Sequence, residues 1–295
     1  MLLTTIFYEI DNFCNNQSKK RYLSLLPHHS RGGRPKTMSA SEILTIIVYF
    51  QHARYRNFKW YYKVIIQGSL RSAFTNVVSY SRFVELMRDH LWLLALFAIS
   101  TTASATGISF IDSTAIAVCK NPRISSHKVM KGLAKRGKTS TGWFFGFKLH
   151  LVINHHGQIV AFLITPGNVD DRNPEVVKKL TKKLFGKLFG DRGYISAKLF
   201  DELWQRGIQL ITRLKKKMRN KLMLLEDKLI LRRRGIIESV NNLLKNCIQI
   251  EHTRHRSKGG FFVNIFAAIA AYFFYPNKPC LPEAKCINSQ RISCD

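Results

Sequence analysis

The chain has 295 residues, of which 46% are apolar and 12% aromatic, enough to bury a large core in one or two domains and too hydrophobic for a disordered tail. Its 17 Gly and 8 Pro are too few for a low-complexity or fibrous protein. Lys and Arg number 47 against 18 Asp and Glu, a net charge of +29, far more than solubility needs, and this implies a polyanionic partner.

Nucleic acid fits that charge better than a membrane surface, because the cations are spread through an aromatic-rich chain and not gathered on one amphipathic helix. Residues 1–30 read as a short helix and a polar break. Arg31–Lys36 (RGGRPK) then reads either as a basic linker lying along DNA or as a solvated loop. Ser39 and Glu42 have capping-box spacing, and Ile43, Leu44, Ile46, Ile47 and Phe50 continue as a helical apolar face. With helical periodicity again over 58–66 and 81–99, residues 1–100 form an all-helical N-terminal region carrying 13 Lys and Arg against five acids. It is either a helix-turn-helix-like DNA reader or a plain bundle.

After Thr106 the texture changes. Residues 108–118, 143–153 and 159–165 are rich in β-branched and aromatic side chains and read as strands, the last two joined by a turn at HHGQ, His155–Gln158. Asp170–Leu184 opens with a helix-start signal, Leu188–Phe189 is a short strand, Ala197–Arg206 a helix, Ile208–Thr212 a strand, and a helix runs from about Gly235 to Ile250. The order βββαβαβ followed by a helix makes residues 101–276 an α/β domain. Inside it, Arg213–Arg234 holds ten Lys and Arg against Glu226 and Asp227 and reads as an exposed basic insertion. Phe261–Tyr275 is near-apolar for 15 residues apart from Asn264, too short for a bilayer span, and reads as a buried core helix. Residues 277–295 read as a C-terminal tail. Six cysteines without a CxxC pair, and a start carrying Glu9 and Asp11, suggest reduced thiols in a cytoplasm.

So few acids can be taken one at a time. Asp112 lies in ISFIDSTAIAV, where a carboxylate among apolar neighbours needs a cation, a metal or hydrogen bonds. Asp191, in GDRGY, follows a short apolar strand and so stands where open α/β sheets build their sites, although an Asp between glycines equally reads as a turn residue. Glu238 lies on the final α/β helix, whose stripe is Ile236, Ile237, Val240, Leu243, Leu244 and Ile248. At about 100° per residue Arg234, Asn241 and Lys245 fall on the Glu238 side, so one acid shares a face with three groups suited to contacting DNA, or is simply solvated.

Three acids from two strand ends and a helix can hold two divalent cations. Carboxylates are hard oxygen ligands suited to Mg²⁺, which takes phosphate oxygens as further ligands. Two such ions about 3.5–4 Å apart activate the attacking oxygen of a phosphodiester displacement and stabilise the leaving one, with no covalent protein intermediate.

FIDST around Asp112, GDRGY around Asp191, and the spacing Arg234, Glu238, Lys245 resemble, in order, the three motifs of the DDE transposases of bacterial insertion sequences, most closely the group typified by insertion sequence 982. The likeness spans nearly the whole chain. Leu231 departs from it, since related groups carry Tyr there. The resemblance implies a ribonuclease-H-like catalytic core, a mixed sheet flanked by helices, with Asp112, Asp191 and Glu238 closing on two Mg²⁺ ions that Mn²⁺ can replace. It also implies hydrolysis at transposon ends followed by attack of the freed 3′-hydroxyl on target DNA, by a homodimer or larger assembly on double-stranded DNA in the bacterial nucleoid. A non-catalytic DNA-binding protein and a hydrolytic nuclease of the same fold are the alternatives.

The other candidates read more plainly. Asp170 and Asp171 read as caps of the helix that follows, with support to the site as the second option. His252 and His255 lack a cysteine pair at finger spacing. Cys280, Cys286 and Cys294 fall in the tail. Lys120–Lys148 carries eight Lys and Arg and no acid; its aromatics, Trp143, Phe144, Phe145 and Phe147, are expected to pack while its cations face phosphate.

Overall fold

The computed structural model describes residues 2–19, 38–74, 76–139, 142–214, 222–251 and 255–281. In chain order the elements are α1 (Leu2–Lys19), α2 (Ala40–His52), α3 (Phe58–Trp60, running into a π-helical stretch Tyr61–Ser69), α4 (Tyr80–Asp89), α5 (Leu91–Ser100), β1 (Ile108–Cys119), β2 (Lys135–Thr139), β3 (Gly142–Asn154) and β4 (Ile159–Pro166). Then come α6 (Pro174–Leu180), β5 (Gly186–Gly190), α7 (Ala197–Trp204), β6 (Ile208–Thr212), α8 (Leu225–Arg232), α9 (Gly235–Asn242, running into a π-helical turn Leu243–Cys247) and α10 (Lys258–Phe273). The chain divides into two compact units, one of Met1–Thr101, Ala117–Gly132 and Leu244–Tyr275, the other of Thr102–Ile116, Leu133–Leu243 and Pro276–Asp295.

The helices of the first unit are α1–α5 and α10. The capping box forms as its spacing requires: Glu42 N donates to Ser39 Oγ at 3.1 Å and Ser39 N donates to Glu42 Oε2 at 2.7 Å, satisfying two donors that the helix start would otherwise orphan. Ile43, Leu44, Ile46, Ile47 and Val48 of α2 are buried. They pack with α10, which also meets α4 and α5. Helix α10 is the buried core helix that its apolar run suggested, and Ala267, Ala268, Ala270 and Ala271, all buried, let its neighbours approach closely. Asn264, the polar interruption of that run, accepts a hydrogen bond from Gln51 Nε2 and donates to the carbonyls of Ile250 and Gln249, which removes the cost of burying an amide. Among the described residues no helix is long and apolar enough to cross a membrane.

The second unit is built on a six-stranded mixed sheet of order β2-β3-β1-β5-β6, with β4 also paired to β3. Pairs β1–β5 and β5–β6 are parallel; β2–β3 and β3–β4 are antiparallel. One core cluster gathers Ile111, Val152, Val160 and Leu188 from strands with Val176, Val177 and Leu180 of α6 and Leu199 and Leu203 of α7, so this unit is a mixed α/β fold. The HHGQ turn is closed by Asn154, whose side-chain oxygen accepts from His156 N and Gln158 N. Its Gly157, at φ +70°, lies so near Pro279 that an added Cβ would stand 1.9 Å from the Pro279 carbonyl oxygen. Leu281 N donates to His155 O at 2.8 Å, so the start of the tail packs on this turn, while the rest of it, with Cys286 and Cys294, lies outside the described residues, as do Arg31–Lys36.

Several local expectations differ. Helix α6 is capped by Asn173, whose side chain accepts from Glu175 N and Val176 N, while Asp170 is engaged by Arg172 and Asp171 by Lys148; the Asp caps are therefore corrected. The helical stretch 81–99 is two helices divided at His90. Strand β2, unread in the sequence, pairs Lys135–Thr139 with Gly142–Gly146. In the basic stretch Arg213–Arg234, residues 215–221 lie outside the described ones, and the later part forms α8, which buries Leu231 and Asp227. Asp227 is tolerated there because Lys187 of β5 donates to its carboxylate at 2.6 Å.

Replacing that lysine should leave a buried carboxylate uncompensated. Lys187→Met is expected to lower the stability of this unit by about 3 kcal/mol, the low end for breaking a buried pair, because the Lys187 side chain keeps 30% exposure. Asp227→Leu in the same chain should recover most of the loss, read from urea midpoints at unchanged slope.

Candidate active site

Two strands bring the aspartates to one place. In the parallel β1–β5 pair Phe110 lies opposite Phe189. Carrying that register on by two residues sets Asp112 against Asp191, both past the buried phenylalanines and at the same end of neighbouring strands. Gly190 is needed between them: a Cβ there would meet the Tyr194 ring at 3.2 Å and Ile111 Cγ2 at 3.3 Å. Asp191 also caps the short 3₁₀ turn Arg192–Tyr194, its Oδ1 accepting from Gly193 N at 2.7 Å. The turn reading and the site reading of this residue are therefore compatible.

Glu238 comes from the first turn of α9, and that helix is tied to Asp112 by two further side chains. Arg234 Nη2 donates to Glu238 Oε1, and its Nη1 stands 3.9 Å from Asp112 Oδ1. Asn241, one helical turn beyond Glu238, donates from Nδ2 to Asp112 Oδ2 at 3.1 Å. Burial pushes the Asp112 carboxyl up to about 6; the Arg234 guanidinium and the Ser113 backbone N–H pull it back, and the negative charges of Asp191 and Glu238 push it up further. Both other acids thus act electrostatically on Asp112, with Arg234 bridging Asp112 and Glu238. The helical face expected for Arg234 and Asn241 is observed. Lys245 lies in the π-helical turn, where the wider hydrogen-bonding pattern ends the 100° projection, and it pairs with Glu251 at 3.2 Å in the first unit.

A second polar group lies in the same unit, and most of it was unread in the sequence. Lys148 of β3 donates to Asp171 Oδ1 at 3.0 Å and to Val169 O at 2.9 Å. His150, two residues along the strand, has no solvent exposure and places Nε2 2.9 Å from Thr165 Oγ1. Burial is the largest influence on that imidazole and holds it down at about 4, so it is neutral near pH 7 and its 3.8 Å approach to Asp171 is not an ion pair there. The Tyr194 hydroxyl is buried without a hydrogen-bond partner. Its ionisation is suppressed first by burial and then by the charges of Asp171, Asp112 and Asp191. The signal for Lys148 and His150 was two polar residues on one face of an otherwise apolar strand. Asp170 stays apart, held down at about 2 chiefly by hydrogen bonds from Arg172.

The donor set of Asp112, Asp191 and Glu238 is all hard oxygen, as a Mg²⁺ or Mn²⁺ site requires. Mutual repulsion at Asp112 is what a bound cation would relieve, so the donor chemistry, though not the spacing of the three side chains, suits such an ion. Among the described residues no group of three or more His, Cys, Asp or Glu side chains is drawn together tightly enough to hold a metal; Arg234 is the cation that pairs with Asp112 and Glu238. His252 lies outside the described residues, and His255 packs edge-on against Phe261.

A family model described as a transposase DDE domain matches residues 102–258, a span containing all three acids. No curated protein matches the chain. Among solved structures the chain is similar to a cryo-EM structure of the piggyBac transposase synaptic complex with hairpin DNA, at 12% identity and TM-score 0.49 over 92% of this chain and 72% of that one. It is also similar to the crystal structure of the Mos1 strand transfer complex, at 11% identity and TM-score 0.23 over 88% of this chain and 82% of that one.

The raised Asp112 group has a pH signature. A carboxyl that keeps its proton to about 6 when folded, against 3.8 when free, favours the folded state below that window and loses the contribution as pH rises through it. Relative to Asp112→Asn, the native chain should lose about 2 kcal/mol of stability between pH 4 and pH 7 and little more above, measured by urea unfolding at each pH.

Proposed function

The chain belongs to the transposase DDE domain family, and from that premise we propose that it is the transposase of a bacterial insertion sequence, of the group typified by insertion sequence 982, cutting transposon-end phosphodiesters and joining the 3′-hydroxyl to target DNA. The observations that carry the reading are Asp112 and Asp191, 79 residues apart in the chain, at the same end of the paired strands β1 and β5, and Arg234, which pairs with both Asp112 and Glu238. The strand order β4-β3-β1-β5-β6, with β5 and β6 parallel to β1, supports a ribonuclease-H-like core. Asp112, Asp191 and Glu238 are the residues that would hold two Mg²⁺ or Mn²⁺ ions, which when bound supply Lewis-acid stabilisation of the attacking and leaving oxygens.

The chain's own side chains prepare that site. Asp112 is fixed from two sides by Asn241 and Arg234, so its carboxylate is oriented before anything binds. Glu238, with 60% of its side chain exposed, is held only through Arg234 and is free to turn toward the aspartates once the guanidinium finds a phosphate. Arg234, Asn241 and Lys245 are the proposed DNA contacts, and the +29 charge suits holding two DNA segments together, as a homodimer or larger assembly on DNA in the nucleoid. A second reading, a DNA-binding protein without catalysis, draws on the Arg234 bridge and on Leu231, buried where related groups carry Tyr.

Cleavage of a supercoiled plasmid carrying the DNA that flanks the gene separates the readings. Nicking or excision with Mg²⁺ and none with EDTA is expected, and Asp112→Asn, Asp191→Asn and Glu238→Gln should each lose more than roughly a hundredfold in rate, beyond the cost of an outer-sphere partner, while still retaining the DNA. Equal retention by all four proteins with no cleavage by any would establish the non-catalytic reading. Cleavage without strand-transfer product from a labelled precut end would establish a nuclease.

A further inference from the structure

The β2–β3 hairpin departs from its expected packing in a way that points to a ligand. Strand pairing sets Arg136 opposite Phe145 and Lys138 opposite Trp143. Because side chains alternate, these four share one face, while Gly137 and Phe144 turn to the other. Phe144 and Phe147 are buried, as an aromatic run in a strand should be. Trp143 is not: 60% of it lies in solvent, with the Lys138 ammonium 5.7 Å from its ring centroid. Lone exposed tryptophans need no explanation, and Trp204 is equally exposed, but that ring stacks on Phe200 beside Asp201 and Glu202. The stretch that carries Trp143 supplies cations and no acid, since residues 113–169 contain no Asp or Glu.

Charge decides what could cover this face. Arg136 and Lys138 are exposed and form no ion pair among the described residues, so a second copy of a +29 chain is repelled and a polyanion attracted. A polyanion that also offers flat π-faces to an aromatic is a nucleic acid strand with unpaired bases. Stacking of that kind is tolerant of sequence and is combined with cations that track the backbone.

We propose that the Arg136, Lys138, Trp143 and Phe145 face of the β2–β3 hairpin is a stacking platform for unpaired nucleobases of a DNA strand, with Arg136 and Lys138 taking the flanking phosphates. This rests on DNA being the substrate. It adds that the hairpin grips single-stranded or distorted DNA, such as a strand end freed by cleavage, in preference to intact duplex.

The test compares full-length wild type with Trp143→Ala, Trp143→Phe and Arg136→Ala. The probes are a fluorescently labelled oligo-dT of about 15 nucleotides, within the span such platforms cover, a duplex of equal length, and the oligo-dT carrying one 2-aminopurine, whose emission falls on stacking. Trp143→Ala should weaken single-strand binding about tenfold and abolish the 2-aminopurine quenching, with duplex affinity within about twofold of wild type. Trp143→Phe should keep most of both signals, and Arg136→Ala should weaken both probes. Unchanged single-strand binding in Trp143→Ala, or equal weakening on both probes, overturns the platform while leaving the transposase reading standing. Failure of wild type to bind either DNA overturns that reading first and the platform with it.

Discussion

A carboxylate placed on an interior strand under the negative charge of two more acids has to be compensated, and this end of the α/β unit is organised by how Asp112 achieves it. Its folded-state pKa of about 6 says that compensation is incomplete. Besides the Ser113 backbone N–H, one guanidinium and one amide from the region of α9 supply it: Arg234 shares itself between Asp112 and Glu238, and Asn241 donates to the remaining Asp112 oxygen. Helix α9 is thereby attached to strand β1 through Asp112, by the same guanidinium that holds Glu238. The stripe of Ile236, Ile237 and Val240, all buried, gives the helix its adhesion; the polar face gives it its rotational setting.

A second tier lies in the same unit. Lys148 neutralises Asp171, and the buried His150, kept uncharged, fills strand β3 without demanding a counter-charge. The ring of Tyr194 packs against Gly190 and Ile111, the residues that immediately precede Asp191 and Asp112. Apolar contact just before each aspartate braces the backbone from which its carboxylate projects.

Much of this was legible in the sequence because the signals were local. Scarcity of acids made Asp112, Asp191 and Glu238 stand out, the capping box at Ser39 and Glu42 announced α2, and period-two and period-3.6 patterns gave strands β1, β3 and β4 and the helix through Glu238. Strand β2 was not legible, because KRGKT is charged and carries a glycine, the composition of a protected sheet edge, and only pairing with β3 makes it a strand. The Asn173 cap was hidden behind two aspartates that would serve as well by type, and which of three neighbours caps is set by backbone geometry. The α8 helix was masked by its charge, since Asp227 becomes a core residue only when Lys187, 40 positions earlier, is brought to it. Such pairings at long range leave no periodic trace.

The acid-free stretch from Ser113 to Val169 has an effect that reaches beyond any one contact. Of its eight cations Lys148 alone finds a carboxylate among the described residues; the others are balanced only by mobile small ions in the surrounding solvent, which screen over about 8 Å at physiological ionic strength. Docking against a strand of phosphates sets free the cations condensed on the DNA, and the gain in their freedom contributes to the affinity. Under the proposed function ionic strength would therefore act as a dial on how firmly the protein grips DNA, with each phosphate neutralised adding about −0.9 to the logarithmic salt slope on duplex DNA.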